Sequence, residues 1–142
     1  MKKIMIINGV NLCMLGIREP QIYGGKTYID LQNYIKDECK DLDVSLEFCV
    51  SNYEGEIVDC IHSCYFNHFD GIVINPGAFT HYSYAIYDAI KSVNIKTIEV
   101  HISDIENREE FRKISVIKPA CIDQIKGKGF DGYVEAVKEL IL

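Results

Sequence analysis

Several features of membrane-spanning and repeat proteins are missing from this sequence. None of its apolar runs approaches the roughly 18 residues that a transmembrane helix needs, because Lys, Asp, Asn or Gly interrupts each one. There are no internal repeats and no low-complexity or linker-like stretches. At 142 residues the chain is long enough to bury one core and short for two. We therefore predict one domain, residues 1–142, that does not span a membrane.

Positive charge is also scarce. The chain carries 15 Lys and Arg against 21 Asp and Glu, which gives a formal net charge of -6. Nucleic acids and anionic membrane surfaces attract basic proteins, so we expect neither as a partner. The apolar stretch at residues 4–8 is too short for the core of a signal peptide and predicts a strand instead. A cytoplasmic protein is expected.

The six cysteines include no CxxC pair, and most of them lie among apolar neighbours. This pattern predicts reduced and mostly buried thiols, as in a cytosolic protein. Cys60, Cys64 and His68 follow one another at the helical spacing of four, which is compatible with a metal site. A zinc site, however, needs a fourth ligand at a recognisable spacing, so we favour a structural role for these residues and expect no metal.

Short apolar runs alternate with longer amphipathic segments along the chain. Strands are predicted at residues 4–8, 44–50, 71–75, 97–102 and 120–125. Helices are predicted at residues 27–39, 54–68, 82–93, 108–113 and 131–141. Such alternation predicts an α/β fold, a three-layer sandwich around a five-stranded parallel sheet. Ligands of these sheets bind beyond the carboxyl ends of the strands, near the point where the strand order reverses.

The loop after the first strand, residues 9–25, is longer than one connection in a compact domain requires. Loops of this length commonly act as lids or binding loops. It contains Arg18 and Tyr23 between glycines that can serve as hinges. The alternative interpretation is a surface loop whose tyrosine packs on the body of the domain.

Arginine is rare where lysine is common. The sequence contains twelve lysines and three arginines, Arg18, Arg108 and Arg112, all of which fall at the predicted carboxyl edge of the sheet. This bias predicts that those positions need the planar guanidinium group. Arg108 and Arg112 are four residues apart and are expected on one helix face, where they repel unless an acid or an anionic ligand lies between them. Pairing with Glu109 or Glu110 is the alternative, which we disfavour because both should point elsewhere on that helix.

Asn75 ends the third predicted strand and is followed by Pro76 and Gly77. This sequence predicts a rigid turn whose amide groups, including that of Gly77, are offered to a ligand. His81 follows at the start of the next helix. It either contacts the same ligand or caps the helix.

Glu99, His101 and Ser103 alternate at the end of the fourth predicted strand and should lie on one side of it. A carboxylate there can orient and charge the imidazole, which suits a general acid near a bound carboxylate. A hydrogen-bonded core histidine is the alternative. The sequence contains neither a glycine-rich phosphate loop nor an acidic cluster after the first strand, so we expect no dinucleotide, nucleotide or magnesium cofactor.

Taken together, these segments resemble the type II 3-dehydroquinate dehydratases over essentially the whole chain. The matching motifs are INGVNL (7–12), LGIREP (15–20), IYG (22–24), SNYEGE (51–56), INPGAFTH (74–81), EVHIS (99–103) and REEFR (108–112). The resemblance implies a flavodoxin-like fold and conversion of 3-dehydroquinate to 3-dehydroshikimate without metal or cofactor. The chain departs from the family pattern at Val10, Cys13, Tyr53 and Tyr87, none of which is assigned to the chemistry.

The resemblance also implies roles for the reacting groups. Tyr23 is expected to be the base that removes a proton beside the ketone, which gives an enolate. His101, oriented by Glu99, is expected to protonate the departing hydroxyl. Arg18 should stabilise charge near the transition state, and Asn11 should steady the enolate through a water. Since free tyrosine has a pKa near ~10, a nearby guanidinium is needed to favour its phenolate.

Substrate binding is implied for a second group of residues. Asn75, with the backbone of Ile102 and Ser103, is expected to hold the substrate carboxylate. His81 and Arg112 are expected to hold the ring hydroxyls.

The family resemblance further implies an assembly of trimers into a dodecamer. Asp88 is expected to reach a neighbouring subunit's site and to pair near Arg108 and Tyr23. The competing hypothesis is a non-catalytic flavodoxin-like binding or signalling module. A signalling receiver would carry acidic residues after its first strand and an Asp after its third, where this chain has Asn8 and Asn75.

Overall fold

The computed structural model describes residues 1–17, 25–104 and 109–142. Its strands are β1 (Lys2–Asn8), β2 (Val44–Val50), β3 (Gly71–Asn75), β4 (Thr97–His101) and β5 (Asp123–Lys126). Its α-helices are α1 (Tyr28–Glu38), α2 (Glu54–Phe66), α3 (Tyr84–Val93) and α4 (Asp131–Leu140). Short 3₁₀ helices lie at Leu12–Met14, Gly77–His81, Glu110–Lys113 and Lys118–Ala120. Among these described helices, none is both long and apolar enough to cross a membrane.

The five strands form one parallel sheet in the order β2-β1-β3-β4-β5. This arrangement confirms the predicted three-layer α/β sandwich and is the strand order of flavodoxin-like folds. The order reverses between β1 and β3, where Asn8 pairs with Asn75 at the carboxyl end of both strands. The crevice in which such folds bind ligands therefore begins beside these two amides.

Two apolar cores lie on opposite faces of the sheet. Helices α1 and α4 cover one face, and α2 and α3 cover the other. In β1 the side chains alternate strictly between them, with Ile4 and Ile6 in the first core and Met5 and Ile7 in the second. Every residue of β3 is buried, as the continuous apolar run predicted.

Hydroxyl groups define the starts of two helices. The Thr27 side chain accepts from the Asp30 amide, and the Asp30 carboxylate accepts from the Thr27 amide, which is a complete capping box for α1. Ser83 caps α3 by accepting from the amide of Ile86, so this helix begins two residues later than predicted. The helix predicted to reach His68 ends at Phe66, and His68 adopts a left-handed φ of 59°.

The last strand was predicted too early, at residues 120–125. Residues Lys118–Ala120 instead form a 3₁₀ turn with a proline in it, and Ala120 and Cys121 pack against the α2/α3 core. The ladder with β4 starts at Asp123, which pairs with Ile98. The apolar character of Ala120 and Cys121 therefore reflects packing against this core, whereas Ile122 is exposed.

The cysteines are unpaired thiols, but the prediction that they are mostly buried is wrong. Cys39 and Cys64 are buried, Cys13 is exposed, and the other three are half-buried. Across the described ranges no three potential ligands are grouped so as to hold a metal ion, and this removes the metal interpretation of Cys60, Cys64 and His68. The physical reason is local: α2 ends before His68, while Cys64 faces the core.

Gly9 permits the close approach of the chain segments that follow β1 and β3. Its amide donates to the Asn75 carbonyl at 2.7 Å, and a Cβ at this position would lie 2.3 Å from the Pro76 carbonyl oxygen. Because backbone atoms would have to move, we predict that Gly9→Ala lowers the free energy of unfolding by at least about 2 kcal/mol. Gly55→Ala is the matched control, since a Cβ there meets nothing within 4 Å, and it should stabilise α2 by up to about 1 kcal/mol. Thermal denaturation of both variants tests this, and equal melting temperatures would contradict it.

Candidate active site

A fully buried carboxylate organises the carboxyl end of β4. Glu99 is 0% exposed and accepts hydrogen bonds from Thr80 Oγ1 at 2.6 Å and from Ser115 Oγ at 2.8 Å. Its Oε2 is also hydrogen-bonded to Nε2 of His101, which is itself only 5% exposed. Glu99 and His101 are therefore in the contact that the predicted orientation of the imidazole requires.

Glu99 is held in its charged form by these neighbours. Burial alone would raise the pKa of its carboxyl group, but the hydrogen bonds from His101, Thr80 and Ser115 outweigh burial and lower that pKa below its ordinary value of 4.5. A charge in this position is compatible with burial because each carboxylate oxygen accepts a hydrogen bond.

Thr80 and Ser115 were not among the predicted site residues. Their hydroxyls lie 3.0 Å apart and both contact Glu99, although 35 residues separate them in the chain. Thr80 lies within the motif at residues 74–81. Ser115 lies just after the 3₁₀ helix Glu110–Lys113, outside the motifs identified in the sequence. No sequence pattern distinguished Ser115, because its role depends on tertiary packing alone.

A sharp turn follows β3, and it hydrogen-bonds the amide of Gly77 within the turn itself. The Gly77 N–H donates to Asn75 Oδ1 at 3.1 Å, so it is occupied within the turn. Gly77 has a left-handed φ of 65°, and a Cβ there would lie 2.5 Å from the carbonyl oxygen of Val10. The contribution of Gly77 to the site is thus the sharp turn that brings Asn75 against the loop after β1.

Asn11 lies in that neighbouring loop, exposed and with a left-handed φ of 68°. Its backbone N–H donates to Oδ1 of Asn52 at 2.9 Å. The side-chain Nδ2 of Asn52 lies 3.7 Å from the sulfur of Cys13. The loops after β1 and β2 are therefore linked at the edge of the site. Cys13, one of the departures from the family pattern, contributes to this link.

His81 ends the 3₁₀ helix that precedes α3. The cap of α3 is Ser83, so the helix-cap interpretation of His81 is wrong. Its Nδ1 lies 2.7 Å from the Ile114 carbonyl, which can only accept, so Nδ1 carries the proton. Burial lowers the pKa of His81 below 6.5 despite this hydrogen bond. The ring is consequently neutral at pH 7, with Nε2 as an acceptor.

Arg112 is paired with an acid, contrary to expectation. Its Nε donates to Oε2 of Glu109 at 2.6 Å, and its guanidinium lies 4.8 Å from the ring centroid of Phe111. The prediction that Glu109 points elsewhere on the helix is wrong, because positions three apart are neighbours both on an α-helix and on the 3₁₀ helix that Glu110–Lys113 forms. Because the pair uses Nε, the two Nη groups still carry four N–H donors.

The backbone after β4 is fixed by the loop before α4. The carbonyls of Ile102 and Ser103 accept from the amides of Gly129 and Gly127 at 3.1 and 3.2 Å. Ser103 lies in the turn after β4 rather than in the strand. Of Glu99, His101 and Ser103, which were predicted to lie together, Glu99 and His101 are joined by a hydrogen bond. Asp88 is exposed on α3, on the side away from the core.

Three predicted residues, Arg18, Tyr23 and Arg108, lie outside the described residues. Apart from Asp88, which is exposed on α3, the described part of the chain brings the others to one edge of the sheet. Around His81, the charges of His101, Arg112 and Glu99 are close enough to influence its protonation. The result is an amide, a neutral imidazole, a carboxylate-bound imidazole and a guanidinium at the carboxyl ends of β3 and β4, an arrangement suited to a small hydroxylated acid.

Comparisons with known proteins agree with this geometry. The family model for dehydroquinase class II matches residues 2–141. The chain is 56% identical over 140 residues to the 3-dehydroquinate dehydratase of Clostridium beijerinckii, covering 99% of this chain and 96% of that protein. It is 57% identical to the 3-dehydroquinate dehydratase of Caldicellulosiruptor bescii, covering 99% and 97%. The crystal structure of the type II dehydroquinase from Butyrivibrio crossotus superposes with a TM-score of 0.97 at 55% identity, covering 99% and 98%.

The buried carboxylate makes stability depend on pH. Because the pKa of Glu99 is lowered by folding, its contribution is fully present above about pH 4.5 and is lost as pH falls through the lowered value. We predict that Glu99→Gln is less stable than the wild type by about 1–3 kcal/mol at pH 6. This difference should shrink as the pH falls below about 4.5.

Denaturation of both proteins at a fixed concentration, from about pH 3 to about pH 7, measures this difference in the free energy of unfolding. The range includes the ordinary pKa of a carboxyl group. Glu47→Gln, which removes an exposed carboxylate from β2, is the control and should follow the wild type throughout. A gap between Glu99→Gln and the wild type that stays constant into acid would contradict the prediction.

Proposed function

The chain belongs to the class II dehydroquinase family and dehydrates 3-dehydroquinate to 3-dehydroshikimate in the shikimate pathway, and we propose that the residues at the carboxyl edge of its sheet carry out this reaction. The whole of residues 1–142 acts as one catalytic domain in this proposal. The observation that carries it is the buried pair of Glu99 and His101. Such a pair supplies an oriented proton donor beside the polar groups at the carboxyl ends of β3 and β4.

Proton removal begins the proposed reaction. Tyr23, as its phenolate, takes a proton from the carbon beside the ketone, and the electron pair of that C–H bond moves into an enolate. Arg18 and Arg108 favour the phenolate by their charge, and Arg18 stabilises the charge that develops in the transition state. Asn11 steadies the enolate oxygen through a water.

Departure of the hydroxyl completes the chemistry. The enolate collapses to restore the ketone and forms a carbon–carbon double bond as the C–O bond breaks. The leaving oxygen takes a proton from His101 and departs as water. Since Nε2 of His101 is engaged by Glu99, the donated proton comes from Nδ1. Transfer of a proton from Tyr23 to His101 through solvent then restores the starting state.

Binding orients the substrate for both steps. Asn75 and the backbone of Ile102 and Ser103 hold the ring carboxylate, and Gly77 shapes the turn on which Asn75 sits. His81 accepts from a ring hydroxyl through Nε2, because its Nδ1 proton is used by the Ile114 carbonyl. Arg112, fixed at Nε by Glu109, donates to a hydroxyl through its Nη groups.

Substitution of the two proton-transfer groups tests the proposed mechanism. Tyr23→Phe and His101→Ala should each lower kcat by at least about a hundredfold, because each removes a general acid–base group. The measurement is the rise in ultraviolet absorbance as 3-dehydroquinate becomes a conjugated enone. Tyr65→Phe is the control, since Tyr65 is exposed near the end of α2, at the opposite edge of the sheet.

Near-normal turnover by folded, oligomeric Tyr23→Phe would contradict the assignment of the base. An absence of any absorbance rise with the folded wild type, with or without added metal, would instead support the competing hypothesis of a non-catalytic binding or signalling module.

We further propose that the enzyme assembles as a homododecamer built from trimers. Asp88 would then extend from α3 of one subunit into the site of its neighbour, near Arg108 and Tyr23. Its exposure on α3 suits such a contact. The proposed use of the pathway is the biosynthesis of aromatic amino acids in the cytoplasm, a reducing compartment that suits six unpaired thiols.

Mixed oligomers distinguish a shared site from a self-contained one. Asp88→Asn and Tyr23→Phe should each be nearly inactive alone. Co-expressed, they should regain part of the wild-type kcat, because some sites then combine an intact Tyr23 with a neighbour's intact Asp88. Absorbance assays on the mixed oligomer, with its mass measured against twelve times 16.2 kDa, provide the readout. Failure of the mixture to regain activity would place Asp88 in its own subunit's site.

A further inference from the structure

A chain of hydrogen bonds lies directly beneath the point where the strand order reverses. Tyr133 of α4 is 0% exposed, and its hydroxyl donates to Oδ1 of Asn8 at 2.6 Å. The same hydroxyl accepts from Nδ2 of Asn75 at 2.9 Å. Asn75 Oδ1 in turn accepts from the Gly77 amide. The chain therefore ties α4 to the ends of β1 and β3 and to the turn that follows β3.

Chemistry fixes the direction of both bonds that the Asn75 side chain makes in this chain. A backbone N–H can only donate, so Asn75 must turn Oδ1 toward Gly77 and Nδ2 toward Tyr133. An amide nitrogen also only donates, so the Tyr133 hydroxyl is the acceptor there. Its own proton then goes to Asn8 Oδ1. The orientation of the Asn75 side-chain amide is thus set by its two hydrogen bonds, one with Gly77 and one with Tyr133.

The hydroxyl of Tyr133 is not needed to fill space. Its ring lies in the apolar α1/α4 core with Val134, Val137 and Leu140, where phenylalanine would occupy the same volume. Burying a hydroxyl there costs free energy unless it is hydrogen-bonded, and it is bonded to the two strand-end amides. What the hydroxyl adds beyond packing is the orientation of Asn75.

Tyr133 and Asn8 are fully buried, whereas Asn75 is 4% exposed at the edge of the site. Of the three, Asn75 is therefore the one with access to a bound ligand. The Nδ2 group has two N–H bonds in one plane, and engagement of one by Tyr133 sets the direction of the other.

We propose that Tyr133 is a positioning residue that acts through Asn75. Its hydroxyl holds the Asn75 amide so that the second N–H of Nδ2 points at the substrate carboxylate. This inference rests on the proposed function, in which Asn75 binds that carboxylate. Without the hydroxyl, the Gly77 bond alone opposes a rotation that would bring Oδ1 against the carboxylate, where two acceptors repel each other.

Steady-state kinetics of Tyr133→Phe, Asn75→Ala and the double variant test the inference. Tyr133→Phe should raise KM for 3-dehydroquinate roughly threefold to tenfold, the worth of one hydrogen bond, with a smaller change in kcat. Asn75→Ala should raise KM at least as much. The double variant should match Asn75→Ala alone, because Tyr133 has nothing left to position.

Tyr34→Phe is the matched control. Its hydroxyl also bonds to a residue of α4, the exposed Asp131, and none of its described hydrogen bonds reaches Asn75. It should change the melting temperature at most and leave KM at the wild-type value. A purely structural role for Tyr133 would make Tyr133→Phe behave in the same way.

Each outcome bears on a different claim. If Asn75→Ala leaves KM unchanged, the proposed role of Asn75 is wrong and the inference falls with it. If Asn75→Ala raises KM while Tyr133→Phe does not, or if the two effects multiply in the double variant, the inference alone is overturned. Should Tyr133→Phe fail to fold, Asn8→Ala removes the acceptor of the Tyr133 proton. It should raise KM in the same direction, and an unchanged KM would overturn the inference.

Discussion

The central strands of the sheet end in polar side chains that have no access to water, and each must find its hydrogen-bonding partners within the protein. Asn8, Asn75 and Glu99 are at most 4% exposed, and they end or nearly end three adjacent strands. A buried amide or carboxylate without any partner would cost several kcal/mol, a large part of the stability of a small domain. Each of the three is hydrogen-bonded, although among the described residues Nδ2 of Asn8 has no partner. The partners that these three side chains require determine how the surrounding loops and helices approach the sheet.

Because side chains alternate across a strand, these buried polar groups lie on two opposite faces of the sheet. Asn8 and Asn75 point toward α1 and α4, where Tyr133 joins them. Glu99 and His101 point the other way, toward Thr80 and Ser115. One face therefore holds neutral amides bound to a phenol, and the other holds a charged carboxylate bound to an imidazole. In 3-dehydroquinate the hydroxyl that leaves is on the carbon that carries the carboxylate, so the substrate needs both kinds of group side by side at one edge.

Separation of the two networks keeps their chemistry independent. The carboxylate that is hydrogen-bonded to His101 is on the other face of the sheet from the amides that are proposed to bind the substrate carboxylate, so two negative groups are not forced together. The loops contribute the remaining polar groups, and their backbones are fixed by hydrogen bonds such as those from Gly127 and Gly129. This division is possible because the parallel sheet brings the carboxyl ends of β1, β3 and β4 side by side.

The sequence alone determined the layer architecture, the buried central strand and the pairing of Glu99 with His101, because these depend on periodicity and on spacing within one element. It also identified the family, through motifs that stay contiguous in the chain. Tertiary structure alone decided that Ser115 and Thr80 share one carboxylate and that Tyr133 reaches Asn75, since partners 35 and 58 residues apart leave no local pattern. The pairing of Arg112 with Glu109 is local by contrast, because residues three apart are neighbours on an α-helix and on the 3₁₀ helix found here. The periodicity of side chains along the chain predicts secondary structure, whereas the partners of buried polar groups are determined only when distant segments pack together.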